Sequence, residues 1–185
     1  MEGFLGVDIC DDPAVDVRQD AIQYLQSLPA HSVQEVFSRH FLEHLDPAAF
    51  QEILKQTDRV LVPGGQARFI VPHYSNPYFY SDPTHRQAFG VHTFSYLCDS
   101  SCLTRIVPTY ARIPGWSLRS VRVGFMPYTR PRILGFKLWM PSDLLNGLVN
   151  LRPLFIELFE RYFCGVLSIY EIEYRILKGS TQQGA

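Results

Sequence analysis

Apolar positions in this chain alternate between two periods, and the switches between them outline its elements. Phe4 to Asp8 (FLGVD) is a short apolar run closed by an acid and a turn through Asp11, Asp12 and Pro13, which predicts a buried strand. Val15 to Arg18 predicts a second strand ending near Asp20. Ile22, Leu25 and Leu28 then share one helical face, closed by Pro29, and Val33 to Ser38 predicts a third strand. Asp46 is placed to cap a helix with Pro47 at its first position. Phe50, Ile53, Leu54, Thr57 and Leu61 recur at helical spacing, and Pro63, Gly64 and Gly65 are read as the stop. Ala67 to Val71 is a strand apart from Arg68, and Pro72 closes it.

That rhythm of strand, helix, strand, helix, strand predicts an α/β fold, a mostly parallel sheet with helices on both faces, in a single domain over residues 1–185. Ligands of such sheets lie beyond the carboxyl ends of the strands, where Asp8, Asp20, His40 and His73 fall. Residues 73–116 read as a loop and helix on the substrate side. The turn-rich segment from His73 to Arg86 is its ordered functional loop, and Val91 to Leu103 its helix. Leu118 to Phe125 and Ile169 to Leu177 alternate and predict antiparallel strands at one end of the sheet, although Ser120 breaks strict period two. Between them, residues 126–165 read as a helical insertion. Ser142 or Asp143 is the expected cap of its first helix, Pro153 interrupts the run, a second helix starts with Leu154, and Glu157 and Arg161 are an expected i,i+4 pair on its wet side.

Composition removes several classes of function. The net charge is −1 and no long basic run exists, which argues against nucleic acid as a partner. Cys10, Cys98, Cys102 and Cys164 lack zinc-finger spacing and read as free thiols. No uninterrupted apolar run reaches about 18 residues, so no membrane span is expected. The opening residues lack the pattern of a signal peptide, and a cytoplasmic setting is the default.

Six pieces in order carry a likeness: GVDI, VDVRQD, SRHFLEHL, ILKQTDRVLVPGG, a strand ending VP, and SDPTH. Together they resemble the class I S-adenosylmethionine-dependent methyltransferases, most closely the methyltransferase-11-like group, over roughly the first half of the chain. The resemblance implies a Rossmann-like sheet in the order 3-2-1-4-5-7-6 and S-adenosylmethionine as cofactor. It places Asp8, ending the family's second strand, on the ribose hydroxyls, where a carboxylate accepts from both. It places Asp20 on the adenine amino group, with Ala21, Ile22 and His40 beside the cofactor. A turn cap is the lesser reading of Asp8; for Asp20 a helix cap reads equally, and both roles can hold together.

His40 falls where the family places residues near the transferable methyl, and Asp82 and His85 lie in the loop after the fifth strand. A histidine suits removal of an acceptor's proton, so His85, Asp82 and His40 are the catalytic candidates; a role in locking the loop is the other reading of Asp82 and His85. Tyr74, Tyr78, Phe79 and Tyr80 are candidates for an acceptor pocket. His40, Glu43 and His44 faintly resemble the Glu-x-x-Glu-His ligands of some quinone O-methyltransferases, but no metal is assigned.

The family's first strand, its Gly-x-Gly loop and the following helix have no counterpart, and Gly3 and Gly6 do not replace them. An N-terminally incomplete chain is the expectation, with cofactor binding weak or absent in the sequence as it stands. Methyl transfer to a small-molecule or glycan acceptor is the leading reading; a degenerate, non-catalytic scaffold or binding domain is the alternative. Residues 133–163 read first as apolar helices that pack over the sheet and cap the acceptor pocket; the sharper reading is a homodimer surface or a dock for an apolar acceptor, with Arg130, Arg132 and Lys137 beside it.

Overall fold

The structure, a computed structural model, describes residues 3–108, 111–125, 132–133, 136–137 and 141–180. Two short strands, β1 (Val7–Asp8) and β2 (Val17–Arg18), pair in parallel as a ribbon of their own. Helix α1 (Ala21–Ser27) follows, with the Asp20 carboxylate accepting from Gln23 N at 3.0 Å. β3 (Val33–Arg39) leads to α2 (Pro47–Val60), where Asp46 accepts from Ala49 N at 2.8 Å and Pro47 fills the first turn. Both caps satisfy backbone N–H groups that a helix start leaves without partners.

β4 (Leu61–Pro72) begins directly after α2, so Pro63, Gly64 and Gly65 belong to the strand rather than to a separate stop. Its pairing with β3 jumps from Val33–Leu61 to Glu35–Gln66, and Gly64 takes a φ of +80° within the extra length. Only glycine adopts that conformation without strain.

The expected helix over Val91 to Leu103 is a correction. The structure has a single 3₁₀ turn at Thr93–Tyr96, followed by β5 (Ser100–Ser101). Tertiary partners take the backbone groups a helix would use: the Glu160 carboxylate accepts from Val91 N, Trp116 O accepts from Asp99 N, and β5 pairs with β6 (Trp116–Gly124). β7 (Arg132–Ile133) and β8 (Phe136–Lys137) form an antiparallel pair. α3 (Pro141–Val149), α4 (Pro153–Tyr162) and β9 (Glu171–Lys178) complete the chain. Because α3 starts at Pro141, Ser142 and Asp143 sit inside its first turn and not at its cap. Arg130 and the side chains of Arg132 and Lys137 lie outside the described residues.

The main sheet has the order β3-β4-β9-β6-β5. β3, β4, β6 and β5 share one direction and β9 opposes them, so the sheet is mostly parallel, as expected. In β6 the pairing steps from Leu118–Ile176 to Ser120–Arg175. This bulge explains the broken alternation: the extra residue, Arg119, returns Val121 and Val123 to the core face.

One apolar cluster gathers Ala67, Phe69 and Val71 of β4, Ile172, Tyr174 and Ile176 of β9, and Leu118, Val121 and Val123 of β6. All four helices send side chains into it. Phe94 stacks on Phe69 at 5.3 Å and meets Tyr174 at 4.6 Å. The alternate strand positions are polar: Arg68 lies 3.4 Å from Glu35 and over the Phe37 ring, and Arg175 pairs with Glu173 at 2.7 Å. Past α3, the Asn150 amide bonds both N and O of Val123 at 2.8 Å, standing in for a neighbouring strand. Among the described residues, no helix is long and apolar enough to cross a membrane.

Candidate functional site

A cleft of about 630 Å³ opens where β3 and β4 end, at the position a parallel sheet reserves for ligands. His40, Glu43 and His44 line one side; Pro72, Asn76, Tyr78 and the turn Ser81 to Pro83 with His85 line the other, and Tyr170 joins them. The structure thus brings together three residues expected from sequence, His40, Asp82 and His85. Asp8, Asp20, Ala21 and Ile22 are not among the lining residues. Of the four candidate aromatics, Tyr78 lines this cleft, Phe79 is buried behind it, Tyr80 is exposed and Tyr74 faces a second cleft.

Each wall is held by its backbone. His40 leaves β3 with a φ of +50°, uncommon for a side-chain-bearing residue, while its N–H is held by Ile70 O at 2.9 Å. The Glu43 carbonyl accepts from Arg86 N at 2.7 Å and Gln87 N at 3.1 Å, which ties the turn after β3 to the loop after β4. Asn76 donates to Tyr170 O at 2.9 Å and fixes the far wall to β9.

The charges are specific. His40 Nε2 lies 3.5 Å from Glu171 Oε2, and its Nδ1 3.5 Å from Glu43 Oε1. The Glu171 carboxylate, then that of Glu43, outweighs partial burial and raises the His40 imidazole to about 9. Both carboxylates thus favour the protonated, cationic form of His40. Burial alone would push Glu171 up, but His40 and Arg39 overcome it and hold its carboxyl below the ordinary value. Asp82 is held low by Thr84, whose hydroxyl and N–H both donate to Asp82 Oδ1, at 2.6 and 2.8 Å. His85 Nδ1 contacts Phe79 O at 2.9 Å, leaving Nε2 3.7 Å from Asp82 Oδ2.

Glu171 and Thr84 escaped the sequence reading. Glu171 opens a cleanly alternating strand, where an acid looks like an ordinary solvent-facing position. Also missed was the pairing of the fully buried His73 with Glu160 of α4 at 2.9 Å. That pair lies beside a second cleft of about 710 Å³, lined by Tyr74, His92, Arg105, Glu157 and Arg161. Glu157 accepts from the Thr104 N–H and hydroxyl, joining α4 to the segment after β5.

The cofactor residues behave differently. Asp8 is exposed and its Oδ1 accepts from Cys10 N at 2.9 Å, which holds its carboxyl below the ordinary value. Asp20 caps α1. Both local capping readings are thus observed.

The sheet order settles the architecture. With β1 and β2 as the family's second and third strands, and β3, β4, β9 and β6 as its fourth, fifth, seventh and sixth, the observed arrangement is 2-3 in one ribbon and 4-5-7-6 in the main sheet. β1 and β2 pair with each other and not with β3, where the family's first strand would stand. A S-adenosylmethionine-dependent methyltransferase from Archaeoglobus fulgidus superposes with a TM-score of 0.55 at 22% identity, over 94% of this chain and 75% of its own. The chain has a class I methyltransferase fold. A methyltransferase from Listeria monocytogenes, described as putative, covers 94% of the chain and 78% of its own length at 16% identity, but its TM-score of 0.43 adds no weight. The sequence matches no protein-family model and no curated protein.

Proposed function

We propose that this protein takes part in S-adenosylmethionine-dependent methyl transfer to a small-molecule or glycan acceptor, held in the cleft between His40 and His85. The observation that carries this reading is the placement of His85. Phe79 O can only accept, so His85 Nδ1 carries the proton and Nε2 presents a lone pair beside the ionised Asp82. That lone pair is oriented to take the proton of an acceptor hydroxyl, and Asp82 stabilises the imidazolium that results. The His40 cation, 39% exposed, offers a fixed positive charge to an anionic or polar acceptor group. The cofactor would supply the methyl group. Its binding to these 185 residues is expected to be weak, because the sequence holds no Gly-x-Gly loop to bring backbone N–H groups to the cofactor.

A non-catalytic binding domain is the second reading, favoured by the engagement of Asp8 and Asp20 in local caps. Incubation with a large excess of S-adenosylmethionine and a panel of hydroxylated small molecules and glycans separates the two. Release of S-adenosylhomocysteine with an acceptor, lost in His85→Ala while cofactor affinity is kept, supports the enzyme. A folded protein that releases none with any acceptor supports the binding domain.

A further inference from the structure

Glu43 poses a problem that methyl transfer does not answer. Its side chain is 1% exposed, and neither carboxylate oxygen accepts a hydrogen bond. A buried carboxylate that accepts no hydrogen bond is costly, and one histidine contact at 3.5 Å leaves its second oxygen unmet. Glu43 lines the cleft, and its carboxylate, His44 and His85 each place a ligand atom within 4.8 Å of the others.

The tautomers of both imidazoles follow from their partners. Phe79 O accepts from His85 Nδ1. The Thr84 hydroxyl gives its one hydrogen to Asp82, so its oxygen accepts from His44 Nδ1 at 2.9 Å. Both rings therefore carry their proton on Nδ1 and present an Nε2 lone pair, and His44 Nε2 stands 3.9 Å from Glu43 Oε1. A carbonyl and a carboxylate-backed hydroxyl behind two ligand histidines are the outer support that orients metal-binding imidazoles.

We propose that Glu43, His44 and His85 bind one divalent transition-metal ion, Zn²⁺ by donor chemistry. Two imidazoles and one carboxylate are a borderline donor set, and three protein ligands leave a fourth position open toward the cleft. Bonds of about 2.1 Å put tetrahedral donors roughly 3.4 Å apart, so closure of about an ångström completes the site. With the ion bound, the His85 lone pair is occupied, and the ion in its place polarises an oxygen ligand in the open position. The alternative is that the protonated His40, 3.5 Å away, is the only counter-charge Glu43 needs. The proposal does not depend on methyl transfer, because binding is read without turnover.

The test is titration of the metal-free protein with Co²⁺, followed by its visible d–d bands, and with Zn²⁺ by calorimetry. One equivalent is expected to bind and to raise the Tm. Glu43→Gln and His85→Ala are each expected to weaken binding at least about tenfold, and Thr84→Ala, acting through His44, by about 10- to 100-fold. His31→Gln, whose ring bonds Leu61 O outside the cleft, should leave it unchanged. Circular dichroism checks that each variant folds, and two independent ligand variants guard against the failure of one. Absence of a stoichiometric Co²⁺ spectrum overturns the proposal. So does binding that survives both ligand substitutions, or a thiolate charge-transfer band showing that the exposed Cys10 takes the ion.

Discussion

Tyr174 shows how single residues anchor the core of this protein. It has no exposed surface and donates its hydroxyl to Gly90 O at 2.5 Å. Tyr174→Phe keeps the ring but leaves that carbonyl without its partner, and urea unfolding should show a loss of about 1–3 kcal/mol. No change would mean that water reaches Gly90. Cys98 gives a chemical counterpart: burial pushes its thiol up to about 12, so at neutral pH it is a poor nucleophile. Thiol alkylation of the native protein should spare Cys98 until denaturant is added, and modification at the rate of an exposed thiol would contradict its burial. At this scale the sequence was most readable where polar residues follow strands, as His40, Asp82 and His85 do. Glu171 and Glu160 were hidden because an acid on an alternating strand or an amphipathic helix looks solvated. Their partners, Arg39, His40 and His73, are far away along the chain.

Helix ends were legible because capping is local chemistry. Asp46 and Asp20 each bond the N–H three residues on, so Asp46→Ala should cost about 0.5–2 kcal/mol of stability, measured by denaturant unfolding. An unchanged midpoint would show that Pro47 and core packing alone set the start of α2. The segment from Val91 to Leu103 was misread for the opposite reason: its fate depends on Glu160 and Trp116, which no local pattern reveals. On α3 and α4 the apolar surplus noted in the sequence remains exposed, with Leu148, Leu154, Phe155, Leu158 and Tyr162 all more than 40% accessible. We propose that this face associates with a second copy, as exposed apolar surface often does. Sedimentation should therefore show concentration-dependent self-association that Phe155→Asp reduces. A monomer at every concentration would reduce the face to ordinary surface.

For the whole molecule, the strand order β3-β4-β9-β6-β5 and the cleft at the ends of β3 and β4 follow from elements the sequence outlined in turn. β1 and β2 form a small parallel pair that makes no ladder with β3; Asp8 ends β1, and Asp20 follows β2 as the cap of α1. We propose on this basis that the cleft between His40 and His85 takes the acceptor and that the described residues hold the cofactor weakly. Calorimetric titration of the 185-residue protein with S-adenosylhomocysteine tests this most directly. The account predicts binding too weak to saturate in the micromolar range, and unchanged by Asp8→Ala. Low-micromolar binding, weakened by Asp8→Ala by about 1.5–3 kcal/mol as loss of a charge-assisted ribose contact would require, would contradict it.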